Sequence, residues 1–106
     1  MYNRVLIVDD DPGIRETISQ IIEELGYAPE TASDGLEALA MLDTGSYLCI
    51  FTDIMMPKMT GIELIKRIKA RDVSLPIIVI TGYASLEIAI DAMKCGASDF
   101  ISKPFK

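Results

Sequence analysis

Several short segments of this chain lead directly into residues that can do metal or phosphorus chemistry. Val5-Leu6-Ile7-Val8 is followed by Asp9-Asp10-Asp11, Leu48-Cys49-Ile50-Phe51 by Thr52-Asp53, Ile77-Ile78-Val79-Ile80 by Thr81-Gly82, and the stretch 97–102 by Lys103-Pro104. Carboxylates held side by side repel one another and favour a hard divalent cation, and an all-oxygen donor set suits Mg²⁺. A carboxylate can also act as a nucleophile toward phosphorus. Moving a PO₃ group then needs positive charge and hydrogen bonds around its equatorial oxygens. Asp9 and Asp10 form the pair suited to holding a metal. Asp53 stands alone after its apolar run and is the best nucleophile candidate, with Lys103 and the Thr81 hydroxyl as candidates to steady the phosphoryl oxygens. A polar residue after an apolar run is ordinary; the agreement of four segments as a set is much harder to reach by chance.

Composition narrows the field. The 106 residues contain no histidine, which removes histidine general bases, His-containing triads and HExxH zinc sites in one step. The two cysteines, Cys49 and Cys95, cannot close a four-ligand zinc site alone. Cys49 reads as a core thiol and Cys95 as a half-buried spectator at the end of a helical pattern. The net charge of −6 makes this segment a poor binder of nucleic-acid phosphates. That charge is uneven: residues 1–57 carry −9 and residues 58–106 carry +3. Lys66, Arg67, Lys69 and Arg71 cluster within one helical pattern, as a solvated face or a docking surface for an acidic partner. The N-terminus has neither a signal-peptide pattern nor the about 20 apolar residues of a membrane span, so the expected location is the cytoplasm.

The elements that must hold these residues follow from periodicity. The three continuous apolar runs are rich in β-branched residues and read as strands buried on both faces of a parallel sheet. Ala28–Ala32, with Pro29 and Glu30, suits an edge strand, and residues 97–102 form a weaker one. Between them lie four amphipathic patterns. The first carries Ile14, Ile18, Ile21, Ile22 and Leu25, with Pro12 near its start and Gly26 after its end; Asp11 is its expected N-cap. The second starts at Asp34 with Glu37 three residues on, and carries Leu36, Leu39 and Leu42. The third starts at Thr60 with Glu63, and carries Ile62, Ile65 and Ile68. The fourth runs from about Ser85 to Gly96 with Leu86, Ile90 and Met93. All four apolar stripes are expected to face the core. Alternating strands and helices give an α/β domain, a doubly wound five-stranded parallel sheet of order 2-1-3-4-5, flavodoxin-like, with the Pro-bearing strand at an edge. In such a sheet the carboxyl ends of the strands share one rim, which is where Asp9, Asp10, Asp53, Thr81 and Lys103 fall.

As a set, Ile7-Val8-Asp9-Asp10-Asp11, Thr52-Asp53-Ile54-Met55-Met56-Pro57, Ile80-Thr81-Gly82 and Phe100-Ile101-Ser102-Lys103-Pro104-Phe105 resemble the receiver domain of bacterial two-component response regulators, in order and across the whole chain. The resemblance implies a CheY-like fold over 1–106 and a phosphoacceptor signalling switch that catalyses only its own phosphorylation and dephosphorylation. Asp53 would accept a phosphoryl group from the phosphohistidine of a sensor histidine kinase or phosphotransfer protein, which supplies the imidazole this chain lacks. Asp9, Asp10, Asp53 and the Met55 backbone carbonyl would bind Mg²⁺. Lys103 would meet the phosphoryl oxygens, Thr81 would swing toward them, and Phe100 matches the aromatic switch position. The Lys103-Pro104 bond would be cis. Residues 92–100 resemble regulators that activate transcription, through a C-terminal effector domain or a downstream protein.

Four further expectations complete the reading. The family's fifth helix is missing after the Lys103-Pro104 segment, which reads as a C-terminal truncation without an effector domain. Right-handed crossovers then put one helix on one sheet face and three on the other. The thinner face would be left bare, to be covered by a homodimer or partner contact. Finally, Met55 and Tyr83 flank the path of a hydrolytic water and predict slow self-dephosphorylation. Other function classes fit less well: a phosphatase would need a substrate-binding insertion, a nucleotide binder would need an anion-attracting first loop in place of Asp9-Asp10-Asp11, and a module that never takes phosphate would not need the full acid, Thr and Lys set.

Overall fold

The computed structural model describes residues 3–56, 58–81 and 86–102, with Thr81 and Leu86 described by backbone alone. Five strands and four helices alternate: β1 (Arg4–Val8), α1 (Pro12–Glu24), β2 (Ala28–Ala32), α2 (Gly35–Thr44), β3 (Cys49–Asp53), α3 (Gly61–Arg71), β4 (Ile77–Thr81), α4 (Leu86–Cys95) and β5 (Asp99–Ser102). All strands are parallel, in the order β2-β1-β3-β4-β5. The expected fold class is the observed one, with β2 at an edge. Two strands reach further than their apolar runs, because Thr52 and Asp53 belong to β3 and Thr81 to β4.

Local signals set most helix ends. Asp11 caps α1, its side chain accepting from the Gly13 N–H at 2.8 Å, with Pro12 in the first turn where no N–H is needed. Asp34 caps α2 by accepting from the Glu37 N–H at 2.8 Å, while Glu37 Oε1 accepts from the Ser33 N–H at 2.7 Å. Thr60 caps α3 through the Glu63 N–H at 3.2 Å. Gly26 and Gly96 take positive φ just past α1 and α4, the conformation in which a Cβ is penalised.

The sheet is not covered evenly. Leu6, Val8, Ile50, Ile77 and Val79 pack against Leu39, Leu64, Ile65, Ile68 and Ala92 of α2, α3 and α4. Each fully buried Leu or Ile contributes about 1.5–3 kcal/mol. On the other face Val5, Ile7 and Ile80 pack against Ile18 and Ile22 of α1. The expectation that the three apolar runs are buried on both faces fails at the second of them: Cys49 and Phe51 of β3 are only half-buried. Beside them lies a groove of about 200 Å³ lined by Ile18, Ile22 and Leu25 of α1 and by Phe51, Ile80 and Ile101. The helix stripes need the same correction. Leu25 is 66% exposed, and Ile21, Leu36, Ile90 and Met93 are exposed too. A stripe five residues wide outruns what one neighbouring sheet can cover, so its margins stay in solvent. Among the described residues, no helix is long and apolar enough to cross a membrane.

The α3 cations are largely spent within the chain. Arg67 meets Glu63 at 2.9 Å, Arg71 meets Asp43 at 2.6 Å, and Lys69 Nζ donates to the Leu75 and Val73 carbonyls at 2.6 and 3.0 Å. Lys66, Arg67 and Arg71 stay exposed, in keeping with a solvated helix face. At the opposite end of the sheet from the aspartates, Arg4 meets Glu30 at 2.6 Å and its guanidinium lies 4.7 Å over the Tyr47 ring, whose hydroxyl donates to Glu30 at 2.7 Å. Hydrogen bonds from Arg4 and then Tyr47 hold the Glu30 carboxyl below its ordinary range, and burial pushes the Tyr47 hydroxyl up.

Candidate functional site

Strand register brings the acids together. Val8 of β1 pairs with Thr52 of β3, so the next residues, Asp9 and Asp53, stand level on adjacent strands about 4.8 Å apart. Asp10 follows at the start of the turn into α1. One carboxylate oxygen from each of Asp9, Asp10 and Asp53 lies within 4.8 Å of the others. Asp9 is fully buried, Asp53 is 5% exposed and Asp10 is open to solvent. The site is a pit with two acids in its floor and one on its rim. Asp11 is not a member, because its carboxylate is turned back to cap α1.

The chain holds Asp9 from several sides. Its N–H donates to the Ala32 carbonyl at 3.2 Å, its Oδ1 accepts from the Asp11 N–H at 2.9 Å, and its carbonyl accepts from Arg15 Nη1 at 2.6 Å. Asp53 is held through its backbone, since the buried Thr52 hydroxyl donates to the Asp53 carbonyl at 3.0 Å. A longer contact of 3.4 Å joins the Met55 N–H to Asp53 Oδ1. Arg15 is a site residue that periodicity gave no reason to single out, since it sits within an amphipathic helix like any polar residue; Thr52 stands beside Asp53 in the sequence, but nothing there assigns it a role.

The loop after Asp53 is anchored on both sides. Met56 and Met59 are buried in the core, whereas Met55 is 64% exposed. Only the first Met of the pair is thus available at the rim. Lys58 takes φ +70 and its Nζ lies 3.5 Å from Asp34 Oδ2, tying this loop to the start of α2. The Glu37 N–H, and more weakly the Lys58 ammonium, hold the Asp34 carboxyl below its ordinary range.

Of the other expected site residues, Thr81 closes β4 paired with Ser102, so its backbone lies at the same rim; its side chain lies outside the described residues. Lys103, Pro104, Tyr83 and the Lys103-Pro104 bond also lie outside them. Phe100 sits on β5 paired with Val79 and is 38% exposed.

A divalent ion fits this donor set. Around an octahedral Mg²⁺ neighbouring oxygens stand about 2.9 Å apart and opposite ones about 4.1 Å, so three oxygens within 4.8 Å of one another can be gathered onto one ion by side-chain rotation. Without a cation, two carboxylates at 4.8 Å repel by about 3.5 kcal/mol at an effective dielectric of about 20. A cation held by Asp9, Asp10 and Asp53 would offset that repulsion.

Residues 5–106 match the model of the response regulator receiver domain. The transcriptional regulatory protein FixJ of Bradyrhizobium diazoefficiens is 35% identical over 102 residues, covering 96% of this chain and 50% of that protein. The chain thus spans about half the length of that relative. The crystal structure of a response regulator receiver domain protein from Clostridium thermocellum superposes with a TM-score of 0.90 at 32% identity, covering 97% of this chain and 83% of that one. The Vibrio cholerae chemotaxis protein CheY4 superposes with a TM-score of 0.92 at 35% identity, covering 100% and 90%.

Proposed function

The chain belongs to the response regulator receiver domain family, and on that premise we propose that Asp53 is its phosphoacceptor, served by Mg²⁺ on Asp9, Asp10, Asp53 and the Met55 backbone carbonyl. The observation that carries the reading is the convergence of the three carboxylates from two adjacent strand ends. Bound there, Mg²⁺ supplies positive charge beside the phosphoryl oxygens and offsets the repulsion of the acids.

The remaining work falls to the chain and its donor. An Asp53 carboxylate oxygen forms a bond to phosphorus as the phosphorus–nitrogen bond of a phosphohistidine breaks, the electron pair returning to the donor's imidazole. The donor is a sensor histidine kinase or a phosphotransfer protein. Its imidazole is what this chain, with no histidine, does not provide. Asp9, pinned by Ala32, Asp11 and Arg15, contributes one carboxylate oxygen to the shared site. Lys103 pairs with the phosphoryl oxygens, and Thr81 donates a hydroxyl to them. Thr81 and Phe100 then shift the domain between two states of a pre-existing equilibrium. In the reverse step, water attacks phosphorus and releases inorganic phosphate and the Asp53 carboxylate.

The output is an effector domain or a downstream protein, in keeping with transcriptional relatives such as FixJ. The location is the cytoplasm, and the apolar groove beside α1 is covered by a second copy or a partner. A chain that sediments as a monomer at every concentration, with ordinary thermal stability, would remove that last element.

Incubation with Mg²⁺ and acetyl phosphate, read by intact mass, tests the core of the reading. Wild-type protein should gain one phosphoryl group, and Asp53→Asn should gain none. Labelling that survives Asp53→Asn, or that proceeds fully in EDTA, would overturn it.

A further inference from the structure

Gly61 opens α3 and is buried against the backbone of the proposed phosphoacceptor. Its N–H donates to the Ile54 carbonyl at 2.7 Å. A methyl group on Gly61 would overlap the Asp53 carbonyl oxygen and stand 2.6 Å from Ile54 Cα and 3.1 Å from the Asp53 carbonyl carbon. All three are backbone atoms, so none can rotate away. Two other glycines are tight in a different sense. At Gly35 the nearest obstacle is Met59 Sδ at 2.8 Å, and at Gly45 it is the Arg4 guanidinium at 2.9 Å. Both obstacles are side-chain atoms and not backbone, although Met59 is itself buried.

A Cβ at position 61 therefore has to move either α3 or the 53–54 peptide. α3 is anchored by the fully buried Leu64, Ile65 and Ile68. Asp53 is the last residue of β3, where the ladder ends. The displacement falls on the strand end. Carbon–carbon contacts normally begin near about 3.5 Å, so a 2.6 Å approach calls for a movement of somewhat under 1 Å.

We propose that Gly61 is a positioning residue for the acid site: its missing side chain lets α3 seat on the Asp53–Ile54 peptide and so sets where the Asp53 carboxylate and the Met55 carbonyl stand relative to Asp9 and Asp10. The inference rests on the reading of those groups as a Mg²⁺ site. It also predicts how the site discriminates between ions. Mg²⁺ demands near-ideal octahedral geometry at about 2.0–2.1 Å, whereas Ca²⁺ accepts roughly six to eight oxygens at about 2.3–2.6 Å in a flexible arrangement. Misplacing one donor segment penalises Mg²⁺ far more than Ca²⁺.

The test is calorimetric titration of the unphosphorylated chain with Mg²⁺ alone and with Ca²⁺ alone, beside its melting temperature in EDTA. Gly61→Ala should weaken Mg²⁺ binding by about tenfold or more, within the about 10²-fold that a 1 Å misplacement can cost, and Ca²⁺ binding by about threefold or less. Thr60→Ala removes the α3 cap without adding an atom beside Asp53; it should lower the melting temperature and leave the ratio of the two affinities unchanged. Equal weakening of both ions in Gly61→Ala overturns the proposal, because general loosening of the fold touches both alike. If Gly61→Ala does not fold, replacing residue 61 by glycolate deletes the N–H that holds the Ile54 carbonyl and adds no side chain. A lowered Mg²⁺-to-Ca²⁺ ratio in that variant supports the role, and an unchanged ratio overturns it. Wild-type protein that binds no Mg²⁺ overturns the acid-site reading and this inference with it, whereas normal wild-type binding with an unshifted ratio in the variants overturns the role of Gly61 alone.

Discussion

Asp53→Asn should make the metal-free domain more stable while abolishing its chemistry. Asp9 and Asp53 are both buried, with oxygens within 4.8 Å, a pair worth about 3.5 kcal/mol of repulsion at an effective dielectric of about 20. Asparagine keeps the size and an acceptor oxygen and loses the charge. Solvent at the open Asp10 side and the further interactions that Asp9 and Asp53 make offset part of this, leaving a stabilisation of about 2 kcal/mol. At roughly 4–8 °C per kcal/mol for a domain of this size, that is a rise of about 10 °C in melting temperature. Mg²⁺ narrows the gap. An ion that binds only the folded state adds about 2.7 kcal/mol at a hundredfold excess over its Kd. The wild type, with all its ligands, gains more from it than the variant does. The assay is thermal melting of both proteins in EDTA and in saturating Mg²⁺. The reasoning fails if Asp53→Asn melts at or below the wild type in EDTA, or if Mg²⁺ raises both proteins equally.

Three further outcomes are expected. Glu30 has a folded-state pKa below its ordinary value of 4.5, held there first by Arg4 and then by Tyr47; its contribution is present above that ordinary value and is lost as pH falls through the lower folded one. The urea midpoint of the wild type should therefore drop more steeply than that of Glu30→Gln on acidification from about pH 5 to about pH 3, and parallel curves would remove Glu30 from the account. Asp34→Ala loses both the α2 cap and the Lys58 ion pair and should cost about 1 kcal/mol in urea unfolding; a loss under a few tenths would show the cap to be dispensable. Met55 is exposed at the site rim, and Met55→Asn combined with Tyr83→Ala should shorten the lifetime of the phosphorylated chain, followed by decay of the phosphoryl mass; an unchanged lifetime would clear both residues of a role in hydrolysis.

How much of this was legible beforehand depends on the kind of signal. Caps were readable residue by residue, because a cap is a contact between neighbours in sequence: Asp34 and Thr60 stand three residues before Glu37 and Glu63, and Asp11 stands directly before Pro12 at the start of the first helical pattern. The acid trio was readable for a different reason. Parallel strands have all their carboxyl ends on one side, so a polar residue after each apolar run lands on a common rim whatever the loops do. What periodicity could not supply was neighbourhood across the fold. It overcounted burial at the margins of the helix stripes, where Leu25 and Leu36 stay in solvent. It also overcounted on β3, where Cys49 and Phe51 face the side that, among the described residues, α1 alone covers. It missed Arg4 with Glu30 and Tyr47, a cluster assembled from three segments far apart in the chain.

Gly61 marks the limit most sharply. Its place after Thr60 reads only as the first residue of a capped helix, where glycine is a poor helix former. The reason for it lies eight residues upstream, in the carbonyl of Asp53. A residue type that lowers helix propensity at one position is tolerated because its emptiness is occupied by backbone from another element. The acid site is thus set by two kinds of residue. The aspartates announce themselves by charge and spacing; the glycine that lets α3 approach their backbone carries no chemistry of its own and becomes visible only when a side chain is imagined in its place.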